Sequence, residues 1–377
     1  MKTIFITSFH PHISRNILQT RAFEILKSTP DLRIVLVVPK HKEKYFTEQY
    51  GSNMVYIRGV PLYGASKTFR GLFFKKLAIF LFNTKSALNR KQYDLYLHKK
   101  YLRYYTSLCF GFLGRSSIVR TLVRRLDGLL SPGGFFTPIL LEWKPDLIFS
   151  TDVQNENDVS LMQDARRRNI RIAAMVRSWD NLTLRFLRIF PEILIVGSKK
   201  THDEAVQYHG FPSDRIRITG NPHYDGYRRD VSCARNEFLK KWNLSIDKKF
   251  IVYAPVSDAL IRTNDMDENI LTVLAGLDTS ILVRFPPEKS VTLKSFTPPP
   301  HMAYDKPGAV FKEGESGDRE IRPQDDQNLI DALTHADVVV TGPTSILLDS
   351  VFFNTPVIAV NYYPTERNYF ETVWRYT

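Results

Sequence analysis

The feature that most constrains this chain is an alternation that recurs along it: a short β-branched run, a turn of Gly, Pro and hydroxyl residues, a helical-period stretch, then another apolar run. It is clearest from Thr334 to Asn361, T-H-A-D-V-V-V-T-G-P-T-S-I-L-L-D-S-V-F-F-N-T-P-V-I-A-V-N. Ala336 to Val340 has the character of a strand buried on both faces, as in a parallel sheet. Gly342 and Pro343 break it. Thr344 or Ser345 is placed to cap a helix carrying Ile346, Leu347, Val351 and Phe352, and Asn354-Thr355-Pro356 stops that helix before a second strand, Pro356 to Val360. Open amides at such a helix start, with the helix dipole behind them, suit a phosphate. An ordinary βαβ unit with a polar cap would show the same residues.

The same alternation fills most of the chain. Strands are predicted at Lys2 to Thr7, Arg33 to Val38, Met54 to Ile57, Pro145 to Thr151, Arg171 to Val176 and Glu192 to Val196. A helix from Arg15 to Lys27, with Ile17, Leu18, Ala22, Ile25 and Leu26 on its inner face, follows the first. After a predicted linker from Asp225 to Ser245 the pattern restarts at Lys249 to Pro255, with a helix from Glu268 to Leu277 and a strand at Ser280 to Pro287. Lys289 to Pro323 is rich in Pro, Gly and charge and reads as loops around a short strand, Ala309 to Phe311. In doubly wound sheets ligands gather at the carboxyl ends of strands, so the polar loops there are the candidate sites.

The chain has 377 residues, 43% hydrophobic and 24% charged, enough for two domains of ordinary size. Its two cysteines, Cys109 and Cys233, are far apart and lack metal-ligand spacing, so no disulfide framework or zinc site is predicted and a reducing compartment fits. The apolar start, M-K-T-I-F-I, is too short for a signal-peptide core, and no run reaches the roughly 18 apolar residues of a membrane span. A cytoplasmic protein is expected.

The net charge is +13, and it is concentrated. Between Ser66 and Arg125 there are fourteen Lys and Arg against the single acid Asp94, so the remainder is close to neutral. These cations alternate with aromatics and leucines, as in F-R-G-L-F-F-K-K-L-A-I-F-L-F, over two or three predicted helices between Lys67 and Leu130 that Ser131-Pro132-Gly133-Gly134 closes. Such a surface fits the inner face of an anionic membrane. A solvated face with lysine stems lying over a core is the second possibility, and a basic groove for nucleic acid the least favoured.

Four stretches taken together resemble the glycosyltransferase B-type (GT-B) fold, and within it the CDP-glycerol glycerophosphotransferase and surface-polysaccharide group: R-S-W-D-N-L-T at Arg177 to Thr183, I-T-G-N-P-H-Y-D at Ile218 to Asp225, Y-A-P-V-S-D at Tyr253 to Asp258, and T-G-P-T-S-I-L-L-D-S at Thr341 to Ser350. The resemblance covers about residues 145 to 360. It implies an α/β architecture of two Rossmann-like domains with parallel sheets facing across a cleft. An acceptor domain would occupy residues 1–228, with the basic helical insertion at 66–130, and a nucleotide-donor domain residues 236–377. It also implies a final helix beginning within Glu366 to Thr377, hence a truncated product.

The implied activity is transfer of a sugar from a nucleotide-diphosphate donor to a lipid-linked or surface-polysaccharide acceptor, with inversion. Glycerophosphate-transferring members carry a histidine where Asp180 stands, so the base here would be a carboxylate, and a carboxylate suits glycosyl transfer. Asp180 could equally cap the helical turn that follows it. The resemblance puts Thr344 and Ser345, next to Gly342, at the pyrophosphate and Asp349 near the ribose or sugar. Arg284 in V-R-F-P-P is a candidate diphosphate ligand or the partner of a loop acid, and Ser257 with Asp258 would face the same pocket. His10 and His12 follow the first strand, where either could carry a proton; His12 joins Asp180 as a catalytic candidate, and His10, Asp152 and Glu156 are the acceptor-side candidates. The chain lacks a D-x-D arrangement at a strand end, and neither a metal nor a separate cofactor is expected. Three alternatives stay open: polyol-phosphate transfer from a CDP donor, a nucleotide-sugar 2-epimerase, and a non-catalytic membrane- or nucleic-acid-binding relic.

Overall fold

The computed structural model describes residues 1–228, 230–258, 265–287, 290–311 and 318–361. The chain forms two compact units, the first Met1–Pro222 and the second beginning at His223. The expected final helix from Glu366 lies outside the described residues.

The first unit runs β1 (Lys2–Thr7), α1 (Arg21–Ser28), β2 (Leu32–Pro39), α2 (Glu43–Tyr50), β3 (Val55–Val60), four helices α3 (Phe69–Phe80), α4 (Lys85–His98), α5 (Tyr101–Leu113) and α6 (Ser117–Leu130), then α7 (Thr137–Trp143), β4 (Leu147–Ser150), α8 (Glu156–Arg166), β5 (Arg171–Met175), β6 (Ile193–Val196), α9 (Lys199–His209) and β7 (Ile216–Ile218). Its seven strands pair in the order β3-β2-β1-β4-β5-β6-β7, all parallel. Alternate residues serve opposite faces: Phe5, Val35 and Val37 enter one core and Ile4, Ile6, Ile34 and Leu36 the other. Burial on both faces is why these strands read as unbroken apolar runs.

Two local expectations fail here. The helix predicted from Arg15 to Lys27 is split into a π-helical turn, Ser14–Leu18, and α1, because Thr20 adopts an extended backbone and returns its hydroxyl to the Ile17 carbonyl at 2.7 Å. Phe23 is therefore the buried residue of α1 and Ile25 is exposed. The basic region forms four helices rather than two or three. Not all of its charge faces outward: Lys91 of α4 is buried and donates to the carbonyls of Phe80 (3.0 Å), Phe82 (2.9 Å) and Ser107 (2.9 Å), joining α4 to the end of α3 and to α5. Burial draws its pKa down to about 8.

The second unit comprises α10 (Arg235–Lys241), β8 (Phe250–Ala254), α11 (Asp265–Ala275), β9 (Ser280–Arg284), β10 (Met302–Asp305), the short antiparallel pair β11 (Ala309–Val310) and β12 (Arg319–Glu320), α12 (Pro323–His335), β13 (Val338–Thr341), α13 (Ile346–Phe352) and β14 (Val357–Ala359). The five-stranded parallel sheet has the order β10-β9-β8-β13-β14. The segment Asp225 to Ser245, expected as a linker, is part of this unit: Tyr227, Phe238, Leu239 and Leu244 enter its core with Phe250, Leu329 and Ile330. β10 and β7 were not predicted. Each is a short edge strand, and an edge strand with few buried residues gives little hydrophobic pattern to read.

Candidate functional site

In both sheets the strand order reverses its sense between two adjacent parallel strands, β1 and β4 in the first unit, β8 and β13 in the second. The loops leaving the carboxyl ends of such a pair open a crevice where ligands of α/β proteins bind. Most of the candidate residues stand on these loops.

In the second unit Thr341 and Ala254 are paired across β13 and β8, and the Thr341 hydroxyl donates to the Ala254 carbonyl at 2.8 Å. The next residues approach more closely still. A Cβ on Gly342 would lie 2.3 Å from Val256 Cγ2 and 3.0 Å from Met266 Cε, so only glycine fits. Asp267, on the first turn of α11, fixes the opposing loop. Its carboxylate accepts the Val256 amide at 3.0 Å and the Tyr253 hydroxyl, and burial together with that carboxylate pushes the Tyr253 phenol pKa well above its usual value. Asp267 was not singled out from the sequence. An acid in the first turn of a helix following a strand was its only signal.

Ser257 follows with φ +90°, a conformation costly for a residue with a side chain. It is fully buried, and its hydroxyl has no hydrogen-bond partner among the described residues. Its neighbour Asp258 is bound by Thr292, which donates its amide at 3.0 Å and its hydroxyl at 2.8 Å.

The turn after Gly342 departs from expectation. The Thr344 amide donates to the Gly342 carbonyl at 2.8 Å and so is not open. Thr344 Oγ1 is 2.7 Å from Thr341 Oγ1. Ser345 occupies the cap position of α13, but its backbone is already helical and its side chain makes no capping bond. The amides of Ser345 and Ile346 have no backbone acceptor among the described residues. Asp349 is buried one turn on and accepts the Tyr227 hydroxyl at 2.9 Å. Arg284, expected to face a diphosphate, is committed elsewhere: its guanidinium pairs with the buried Asp305 and donates to the Asp325 carbonyl at 2.7 Å. The acid that claims it is the last residue of β10 rather than a loop residue.

In the first unit two of the three acceptor-side candidates, His10 and Asp152, meet with the catalytic candidate His12. Arg177 Nε lies 2.8 Å from Asp152 on the loop after β4, and its Nη1 lies 2.5 Å from His10 Nε2 on the loop after β1. The His12 amide donates to His10 Nδ1 at 3.3 Å, and the two imidazoles stack with centroids 5.2 Å apart. In the sequence Arg177 only opens a motif; in the fold it joins the loops. Glu156 is drawn into a different set, with Arg188 Nη1 at 2.6 Å and Arg185 Nη1 at 3.8 Å. Beneath the loops Asp158 is fully buried and accepts the Thr7 hydroxyl at 2.5 Å and the Ser150 hydroxyl at 2.8 Å. Burial, reinforced by the Asp152 charge, pushes its pKa up to about 8.

Asp180 stands apart from this group. Half-buried in the turn after β5, it accepts the Ser178 hydroxyl at 2.6 Å and precedes the 3-10 turn Asn181–Thr183 without a side-chain capping bond. Its charge, secondary to burial, helps to raise the pKa of Glu204 on α9. Among the described residues no hydrogen bond joins Asp180 to His10 or His12.

No family model matches the sequence, and no curated protein matches it. Solved structures do. The chain is similar to the UDP-N-acetylglucosamine 2-epimerase from Rickettsia bellii, at 11% identity over 95% of this chain and 78% of that one, with a TM-score of 0.50. It is similar to the UDP-GlcNAc 2-epimerase from Neisseria meningitidis, solved bound to UDP-GlcNAc, at 10% identity over 99% and 85% of the two chains, again with a TM-score of 0.50. The glycotransferase of kitacinnamycin follows at 12% identity over 99% and 84%, with a TM-score of 0.48. At these identities the likeness speaks for the fold, and nothing in it favours the narrower CDP-glycerol grouping. The two parallel-sheet, Rossmann-like units make this a chain of the GT-B type of fold.

Proposed function

We propose that the protein is a nucleotide-sugar-dependent glycosyltransferase that adds a sugar to a hydroxyl of a lipid-linked or surface-polysaccharide acceptor. The donor's diphosphate would lie against the second unit's loops 255–258 and 342–346. The observation that carries this reading is Ser257: a strained, fully buried residue whose hydroxyl lacks a partner among the described residues, beside Gly342, where a side chain would run into Val256. A folded protein tolerates such a cost where a ligand completes the arrangement.

In the proposed reaction the acceptor oxygen attacks the anomeric carbon as the bond from that carbon to the diphosphate breaks. The acceptor proton passes to Asp180, with His12 as the second candidate base, and the nucleoside diphosphate leaves. Ser257 and the amides of Ser345 and Ile346 would meet the charge on the leaving group. Asp349, oriented by Tyr227, would accept hydrogen bonds from sugar or ribose hydroxyls. No metal is invoked, so a chelator should leave turnover unchanged.

The test is a melting-temperature series with UDP, GDP, CDP, TDP and CMP. A ligand at a hundred times its Kd stabilises by about 2.7 kcal/mol, so one nucleotide should shift the transition clearly, and Ser257→Ala should remove most of that shift. No shift with any of the five would sink the reading. The epimerase reading, to which the two structures at TM-score 0.50 point, predicts the same shift. It is separated by incubating the protein with UDP-GlcNAc and no acceptor, which under the transferase reading yields no epimerised sugar.

A further inference from the structure

Two of the inserted helices, α5 and α6, carry apolar residues toward water as well as toward the core, where Phe110, Val119 and Val123 pack. On α6, Ile118 is 78% exposed, Leu122 54% and Leu129 78%, whereas Asp127 is 1% exposed. Arg124 of the same helix is also turned inward, over the rings of Phe190 at 3.7 Å and Phe186 at 4.6 Å. A helix covering a core in water presents polar residues on its outer face instead. The preceding helix repeats it: Leu102, Tyr105, Phe112 and Leu113 of α5 are exposed, while Ser107 and Gly111 are buried. At helical spacing those exposed positions fall within one arc. Lys99, Lys100, Arg115 and Arg125 are exposed around the same helices.

We propose that α5 and α6 form an in-plane anchor for an anionic lipid bilayer, their apolar stripes entering the acyl boundary while the flanking Lys and Arg meet the head groups. Three observations select this occupant. The segment 66–125 carries +13 with one acid, Asp94, and Asp94 itself lies 3.6 Å from Arg103. A second copy of such a surface would set like charges against each other. The exposed stripe of α6 is aliphatic, and aliphatic side chains offer bases nothing to stack on, which disfavours a nucleic acid. Among the described residues no helix is long and apolar enough to cross a membrane, so these helices lie on the bilayer. Asp127 and Arg124 fasten α6 to the body of the unit, so exposed leucines can be replaced without loosening it. The inference rests on this surface alone and needs no assumption about the donor.

The full chain should co-sediment with phosphatidylcholine vesicles containing about a third phosphatidylglycerol and much less with phosphatidylcholine alone. Leu122→Ser with Leu129→Ser should lower the partition coefficient by at least about tenfold, and Arg115→Gln or Arg125→Gln by about fivefold each. Leu141→Ser, an exposed leucine on α7, should change nothing. All variants should keep the wild-type melting temperature and its nucleotide-induced shift, so loss of vesicle binding stays distinct from loss of donor binding. The proposal is overturned if the wild type does not bind anionic vesicles, or if the leucine variants bind as well as wild type. It is equally overturned if the stripe proves to bind single-stranded RNA in preference to vesicles, or if replacing the leucines merely converts a dimer to a monomer.

Discussion

Arg188 holds Asp127 with two nitrogens, Nε at 2.7 Å and Nη2 at 2.9 Å, and reaches Glu156 with the third at 2.6 Å, all in a buried setting. Gln163 and Ser131 complete the set around Asp127. This network ties α6 to α8, and so the inserted helices to the sheet domain. Removing one member of a buried pair leaves the other desolvated and unpaired, which typically costs about 3–5 kcal/mol. Arg188→Met should cost that much in urea denaturation, and adding Asp127→Leu should return a large part of it. A single substitution within about 1 kcal/mol of wild type would show that the network is not what fastens the insertion.

Asp158 gives stability a downward slope with pH. An unfolded aspartate ionises near pH 3.9, while the folded protein keeps this proton up to about 8. Between those values the folded state binds more protons than the unfolded state, so the contribution is full below about pH 4 and lost as pH rises toward 8. Asp158→Asn abolishes the slope. Its unfolding free energy relative to wild type should therefore rise steadily from pH 5 to pH 8, measured at a series of fixed pH values.

His209 acts in the opposite sense. It lies fully buried against Phe82, with ring centroids 5.0 Å apart, between the Leu187 amide and the Leu182 carbonyl. Burial pulls its pKa down to about 3, against roughly 6.5 in the unfolded chain. The unfolded state binds the extra proton in that window, so this contribution is present above about pH 6.5 and lost as pH falls toward 3. In His209→Gln the acid limb of the stability profile should flatten, whatever the change at pH 7. An acid limb identical to wild type would mean that the imidazole does not stay neutral in the fold.

Ser257 offers a test that separates folding from binding. Glycine adopts φ +90° without penalty, so Ser257→Gly should stabilise the ligand-free protein by about 1 kcal/mol. The same substitution deletes the hydroxyl proposed to face the diphosphate and should weaken nucleotide-induced stabilisation. A gain in both quantities would mean the serine is strained for some reason other than the ligand.

Much of the fold was legible because each central strand is buried on both sides. Phe5, Ile6, Val35 and Leu36 leave no polar position to interrupt the run, and the break to Ser8 or to Gly342 marks each carboxyl end. Edge strands gave no such signal, and Met302–Asp305 was missed for that reason. The site was legible only as a set of loops. His10, His12 and Asp152 were named from their positions after strands, but Arg177, which gathers His10 and Asp152, is distant in sequence from both. Arg284 stood at the right strand end and was claimed by Asp305, a residue that is its neighbour only through the pairing of β9 with β10.

Local pattern alone therefore determined the parallel α/β class, the carboxyl-end loops as the place for chemistry, and the concentration of cationic and aromatic residues between Ser66 and Arg125. These are properties of periodicity and composition, which depend on neighbours within a few positions. Tertiary structure decided which charges are spent on each other, which hydroxyl is left without a partner at Ser257, and that α6 turns its leucines outward and its aspartate in. Pairing, burial and strain are set by residues beyond the reach of local pattern, 21 positions apart for Arg284 and Asp305 and 151 for Thr7 and Asp158, and only the folded chain brings them together.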